Sequence, residues 1–305
     1  MSQVLVEGHE APKSVGTYLL APIMPIVRRL RLKARLIALT VVMLIPSAVL
    51  GQAFLSSSQG QISFGDKERD GVAVLGPALT AMTDVVAGKE VDLTDLSAAV
   101  KAHPDLKLDE QLSAVTDAAA KADTPAGRVD LATALNTLIT EAGNTSNLIL
   151  DPDLDSFYVM DALVVQLPNA LVTAAQAEVP TQADTANGRV AEHALLAGGL
   201  SSRAGALSGD ASTAVANTER AQLESELGAL VAASEAADTL HTQIADGLDN
   251  PQPVDAAEFG AAAGAAVDPT VKALDALLSA RVAHLSGTQR LILIVSVVAL
   301  LLALW

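Results

Sequence analysis

Four aspartates, Asp151, Asp153, Asp155 and Asp161, stand inside an otherwise apolar run, NLILDPDLDSFYVMDAL, over residues 147–163. Carboxylates among leucines hold a metal, move protons or start a helix. Asp151, Asp153 and Asp155 form the D-x-D-x-D opening of a calcium loop, in which alternate carboxylates converge on one cation. The rest of such a loop is missing. Ser156 fills the position that needs glycine, and Ala162 the position that needs a bidentate glutamate. The five histidines, His9, His103, His193, His241 and His284, show no H-x-x-x-H ligand spacing. There is no nucleophile motif and no glycine-rich phosphate loop, and the chain contains no cysteine for a thiolate site or a disulfide. The pattern therefore points away from an enzyme, a metal and a cofactor. A local reading accounts for two of the four acids: Asp151 caps a helix that starts with Pro152, and Asp153 complements its dipole.

Asp161 remains, with the adjacent aromatics Phe157 and Tyr158. On a helix Tyr158 and Asp161 lie three apart and share a face. A buried tyrosine hydroxyl needs a partner, and Asp161 is within its reach. The functional counterpart is a pocket between helices, opened by a kink, with Asp155, Phe157, Tyr158 and Asp161 as candidate ligand contacts. Arg69, in FGDKERDGVAVLGPAL over residues 64–79, is the fifth candidate, placed to meet an acid or to bind an anionic ligand. Ser234 and His241 fall on an apolar stripe and read as satisfied core residues.

These residues must be carried by helices. Half of the 305 residues are hydrophobic, mostly alanine, and only 2% are aromatic, a composition that favours helix over strand. The expected elements are a first helix ending at Gly88, a short helix and a loop over 92–108 broken at Pro104, a helix over 109–121, a helix from Thr124-Pro125 to Leu150, another over 152–177, a polar turn at 180–188, a helix over 190–207, a break at Gly209, a long helix to about Leu248, the breaker DNPQP at 249–253 and a last helix from about Val254 with an irregularity at Asp268-Pro269. Leu223, Leu227, Leu230, Ala237, Ile244 and Leu248 form one core stripe, and Val271, Leu274, Leu278, Val282 and Leu285 another. The fold class is all-α. The long helices predict an elongated antiparallel four-helix bundle, single or as two bundles stacked end to end, between two transmembrane helices.

The membrane segments follow from charge and length. Residues 36–65 carry no charge, and 36–54 are apolar for 19 residues, enough to nearly cross a hydrocarbon core of about 30 Å. The last 15 residues, 291–305, are uncharged and end at Trp305. Fifteen is short for a span, so either the helix borrows Gly287 to Gln289 or the chain is cut near the membrane exit, and the cut is the expectation. Arg28, Arg29, Arg31, Lys33 and Arg35 crowd the first segment, so the positive-inside rule puts residues 1–35 in the cytoplasm. The expected organisation is transmembrane helix 1 over 36–56, an extracytoplasmic domain over 57–288 and transmembrane helix 2 over 289–305. Six basic and two acidic residues precede Leu36, so the remaining 13 basic and 33 acidic residues carry −20, which argues against nucleic acid and anionic lipid as partners.

The segment GNTSNLILDPDLDSFYVMDALVVQLP, 143–168, resembles the helical extracytoplasmic sensor regions of bacterial methyl-accepting chemotaxis proteins. Related regions occur on membrane histidine kinases and diguanylate cyclases. QISFGDKERDGVAVLGPAL, 61–79, resembles the lysine-glutamate-x-x-glycine stretch that follows their first span, with Lys67, Glu68 and Gly71 at the matching positions. The resemblance implies a membrane receptor, usually a homodimer, that relays binding of a small molecule or an extracytoplasmic partner as a helix displacement. The rival expectation is a membrane-anchored helical scaffold without a ligand.

Overall fold

The computed structural model describes residues 31–304, the side chains of residues 35, 36, 303 and 304 excepted. The basic residues Arg28 and Arg29, His9 and the closing Trp305 lie outside them. All regular structure among the described residues is helical. Two compact units result: Gln59–Thr288 is one, and the described residues before and after it make the other.

Helix α1 (Leu32–Val86) opens the described chain and α10 (Ala257–Leu304) closes it. Between them come α2 (Thr94–Ala102), α3 (Asp109–Ala119), α4 (Pro125–Thr145), α5 (Leu154–Asp161), α6 (Leu167–Ala177), α7 (Ala186–Ala216), α8 (Leu223–Glu226) and α9 (Gly228–Asp246). In the smaller unit the apolar side chains face outward: Ile37, Val42 and Leu50 on α1 and Leu291, Ile294 and Leu302 on α10 are exposed. Soluble surfaces do not carry such stretches. By length and composition three helical stretches can cross a membrane: Leu32–Val86, Leu154–Ala177 and Ala257–Leu302. The apolar windows of the first and last are not buried at all, whereas that of the middle one is 56% buried among other helices. Pro46 interrupts the ladder of α1, and next to it the Ser47 hydroxyl donates to the Met43 carbonyl (2.9 Å).

Within Gln59–Thr288, α1 and α10 run antiparallel. Gly65 faces Val282, Gly76 faces Val271, Gly264 faces Thr83 and Gly260 faces Ala87. Gly88, at φ +66°, ends α1 in a left-handed turn in which Lys89 N donates to Asp84 O and Gly88 N to Val85 O, the Schellman pattern. A Cβ on Gly260 would stand 2.5 Å from Ala87 N, which is backbone and cannot turn aside. Gly260→Val is therefore expected to cost about 1–3 kcal/mol in thermal unfolding, while Gly264→Ala, facing the movable Thr83 hydroxyl at 3.3 Å, costs far less.

Thr124 caps α4 as its type suggests, its hydroxyl accepting from Gly127 N (3.0 Å) with Pro125 in the first turn. Thr124→Ala is expected to cost about 1 kcal/mol, read from the same melts. Several boundaries differ from the sequence expectation. Helix α7 starts at Ala186, inside the expected polar turn, because the Thr185 hydroxyl accepts from Gly188 N (3.0 Å) and caps it there. Helix α4 stops at Thr145, because Asn147 adopts a left-handed φ of 65° and hands over to a 3₁₀ turn at Leu148–Leu150. The next helix has Asp153, not Asp151, at its N-cap position, without a side-chain cap bond, and the Asp151 carboxylate turns inward. The break placed at Gly209 falls instead at residues 217–222. Helix α7 continues through Gly209, where burial of Leu207, Ala211 and Ala214 outweighs a glycine penalty of about 1 kcal/mol. The stretch at Asp268-Pro269 stays within α10.

Between α5 and α6 the chain widens into a π-turn, Ala162–Gln166. Pro168 explains it: proline lacks an N–H and crowds the carbonyl four residues back. Asn169 Nδ2 donates to the Val165 carbonyl (2.7 Å), satisfying an acceptor of the widened turn. Other antiparallel pairs are set by Arg128–Glu178 between α4 and the end of α6, Arg203–Gln166 between α7 and the π-turn, and His241–Ala197 between α9 and α7.

Candidate functional site

The apolar face of α1 in the domain is built by Val72, Leu75, Leu79, Met82 and Val86, all buried, at spacings of three and four. Glu68 occupies the next position of the same stripe and is fully buried. On α10, Leu274 and Leu278 make the matching stripe, and Arg281 comes three residues further. The two meet: Arg281 Nη2 donates to Glu68 Oε2. Its other terminal nitrogen, Nη1, donates to Asp151 Oδ1 (2.6 Å) and to Asp153 Oδ2 (3.4 Å). One guanidinium thus joins α1, α10 and the connection between α4 and α5.

Asp151 also accepts from Asp153 N (3.0 Å), which folds the LDPD segment back on itself. Gly71, one turn beyond Glu68, lets Ser146 approach so closely that a Cβ would stand 2.3 Å from the Ser146 hydroxyl. That contact seats the end of α4, and with it Asp151, against α1.

The charges do not balance. Glu68 and the Asp151 side chain are fully buried and share one cation, while Asp153 is half exposed. Glu68 Oε1 and Asp151 Oδ2 are buried without a hydrogen-bond partner. Burial pushes the Glu68 carboxyl from 4.5 up to about 7; Arg281 opposes the shift, and the charges of Asp151 and Asp153 add to it. Burial pushes the Arg281 guanidinium down, but Asp151 and Glu68 outweigh it and hold it above its ordinary value. Beside this clamp lies a cleft of about 710 Å³, walled by Asp153, Asp155, Ser156, Arg220, Arg281 and His284 among others.

The five candidates from the sequence do not share one cavity. Asp155 lines this cleft and accepts from Ser156 N (2.8 Å). Arg69 lines a different one, with Asp70 and His103, and its Nε donates to Asp275 Oδ1 (2.7 Å) on α10, away from the kink. The Phe157 and Tyr158 rings stack edge to face, centroids 5.4 Å apart. Asp161 accepts from Gln166 Nε2 (2.7 Å) and not from the Tyr158 hydroxyl, because the π-turn brings Gln166 back over it. Gln166 in turn accepts from Arg203 (2.8 Å). Asp210 of α7 faces Asp161. Burial first, then the charge of Asp161 and its hydrogen bond, raise the Asp210 carboxyl from 3.8 to about 7. His193 is buried and His241 half-buried, and they bond to the backbone carbonyls of Gln252 (2.8 Å) and Ala197 (2.9 Å) respectively. Among the described residues no group of three or more His, Asp or Glu side chains could hold a metal ion.

Glu68 and Arg281 were missed as a pair. Each was legible as a charge on an apolar stripe, but nothing local joins positions 213 residues apart. No family model, curated protein or solved structure matches the chain. The functional reading therefore rests on the geometry and on the two sequence motifs.

Proposed function

We propose that this chain is the sensing and membrane portion of a transmembrane signalling receptor, with a chemoreceptor as the first choice of output. In this reading α1 and α10 each supply a membrane span, the N-terminus is cytoplasmic, and Gln59–Thr288 is an extracytoplasmic sensor domain. Leu154–Ala177, half buried by protein, is a core helix and not a third span. Helices α1, α4, α5–α6 and α10 form an antiparallel four-helix bundle, with the α7–α9 hairpin laid against it. Two copies of the chain associate as a homodimer in the bilayer, and the domain answers to a small molecule or an extracytoplasmic partner.

The observation that carries this reading is the clamp. The two helices with uncharged apolar segments are joined to each other by Arg281–Glu68 and Arg69–Asp275. A shift of one helix against the other is the standard way to move a signal along such a pair. A buried ionic cluster adds little stability, since apolar residues of similar volume serve as well or better, and this favours a role other than holding a scaffold together. The sequence resemblance and the acidic domain favour the same conclusion. A histidine kinase or diguanylate cyclase output fits the same domain; the output module, and not the sensor, separates these readings.

The test joins residue 305 to the cytoplasmic signalling module of a chemoreceptor and records its kinase control in cells. Arg281→Gln is expected to move the output to a new fixed level while the protein stays in the membrane and helical. An output that ignores Arg281→Gln and Arg69→Gln alike would assign the chain to the scaffold class.

A further inference from the structure

We infer that the Glu68–Arg281–Asp151 cluster is a proton-operated latch, so that the stimulus read by this domain is the acidity of the extracytoplasmic medium. The inference rests on the receptor reading and names its ligand. Three independent features point to it. The cluster holds more carboxylate than guanidinium, and both Glu68 and Asp151 are withdrawn from water. Each of them has one buried oxygen, Glu68 Oε1 and Asp151 Oδ2, that no protein donor reaches, so the site has acceptor capacity to spare. The cluster also stands where α1, α10 and the α4–α5 connection converge, so its charge state acts on all three at once.

The proton balance is simple. With Glu68 as a neutral acid, Arg281 has Asp151 as its single buried counter-charge and the contact is matched. Loss of that proton to solvent leaves a second buried carboxylate facing the first, and their repulsion drives α1 away from the Asp151 side. Asp153, half exposed and bonded to the same guanidinium, borders the cleft and offers the route by which the proton leaves. The groups facing Glu68 are Arg281 from α10 and Asp151 and Asp153 from the α4–α5 connection. Behind Arg281 the cleft adds His284, Asp155, Glu219 and Arg220, the last held by Glu226 (2.6 Å). The position of the Glu68 titration near neutrality supports the same assignment.

The experiment uses the full chain in lipid nanodiscs. The native sequence has no cysteine, so Ala73→Cys on α1 and Ala283→Cys on α10 accept spin labels at those two sites alone. The distance distribution between them is expected to change between pH 6 and pH 8.5. Glu68→Gln should hold the low-pH distribution at both values, and Asp210→Asn, which removes the other raised carboxyl, should leave the shift intact. The latch is overturned if the wild-type distribution is the same at both pH values, or if Asp210→Asn and not Glu68→Gln abolishes the shift. Arg281→Gln separates helix mobility from proton control. If it moves the labels while pH does not, the helices are mobile and only the proton is wrong. If neither moves them, the receptor reading falls as well.

Discussion

Arg281→Met is expected to lower the stability of the full chain by about 3–5 kcal/mol at pH 8, the loss associated with stranding a buried charge by removing its partner. For a domain of this size that is a fall in Tm of about 10 °C. The reason is local. Arg281 is the cation bonded to Glu68 and Asp151, both buried, and no other guanidinium or ammonium bonds either of them among the described residues. Methionine keeps much of the volume and the apolar stem, so packing loss contributes little and charge dominates. The effect should shrink at pH 5.5, where Glu68 is protonated with or without Arg281, whereas at pH 8 the variant also loses the cation that lets Glu68 ionise. Helix content of the detergent-solubilised chain, followed against temperature at both pH values, reads this directly. A loss that is small and equal at the two pH values would mean that the cluster is solvated and not a clamp.

The second large effect is the pH dependence itself. Glu68 has a folded value of about 7 against an ordinary 4.5, so the folded state binds its proton more tightly than the unfolded chain does. Stability is therefore greatest below pH 4.5 as far as this group is concerned, and it declines as pH rises through 7. A shift of that size corresponds to roughly 3 kcal/mol. Asp210 moves in the same direction, from 3.8 to about 7, so the two act in one window. Glu68→Gln should remove its share of the slope and leave the variant more stable than wild type at pH 8.5, with little difference at pH 5. Urea melts across that range, in wild type, Glu68→Gln and Asp210→Asn, separate the two contributions. A stability that rises from pH 5 to pH 8 would show the opposite sign and contradict both assignments.

Much of the helical plan was readable before any coordinates. Gly88, Thr124-Pro125 and DNPQP mark their boundaries because each acts through a local constraint: a left-handed φ, a side-chain cap and a missing N–H. The break at Gly209 was misplaced because glycine alone is a weak signal against a buried stripe on both sides of it. The true break at 217–222 is held by an ST-turn, with Arg220 N donating to the Thr218 hydroxyl, and by the Arg220–Glu226 pair, neither of which announces itself in composition. The DPD motif was legible as a helix start, and it does precede one. Its central role is long-range. Asp151 faces inward to Arg281, 130 positions away, and no periodicity connects them. Arg69 found its acid in the same way, on α10 and not on the kink where the other candidates lie. What sequence did carry was the anomaly of charge on an apolar stripe, at Glu68 and again at Arg281.

In the proposed receptor, displacement of α1 against α10 carries the signal, and a disulfide across that contact tests it. A Cβ on Gly76 would lie 3.6 Å from Val271 Cγ1, so cysteines at these two positions are within reach of a bond. In the signalling chimera bearing Gly76→Cys and Val271→Cys, output should respond to pH while the pair is reduced, freeze at one level when it is oxidised, and respond again after reduction. An output that still responds with the pair fully oxidised would show that the signal does not pass through this contact.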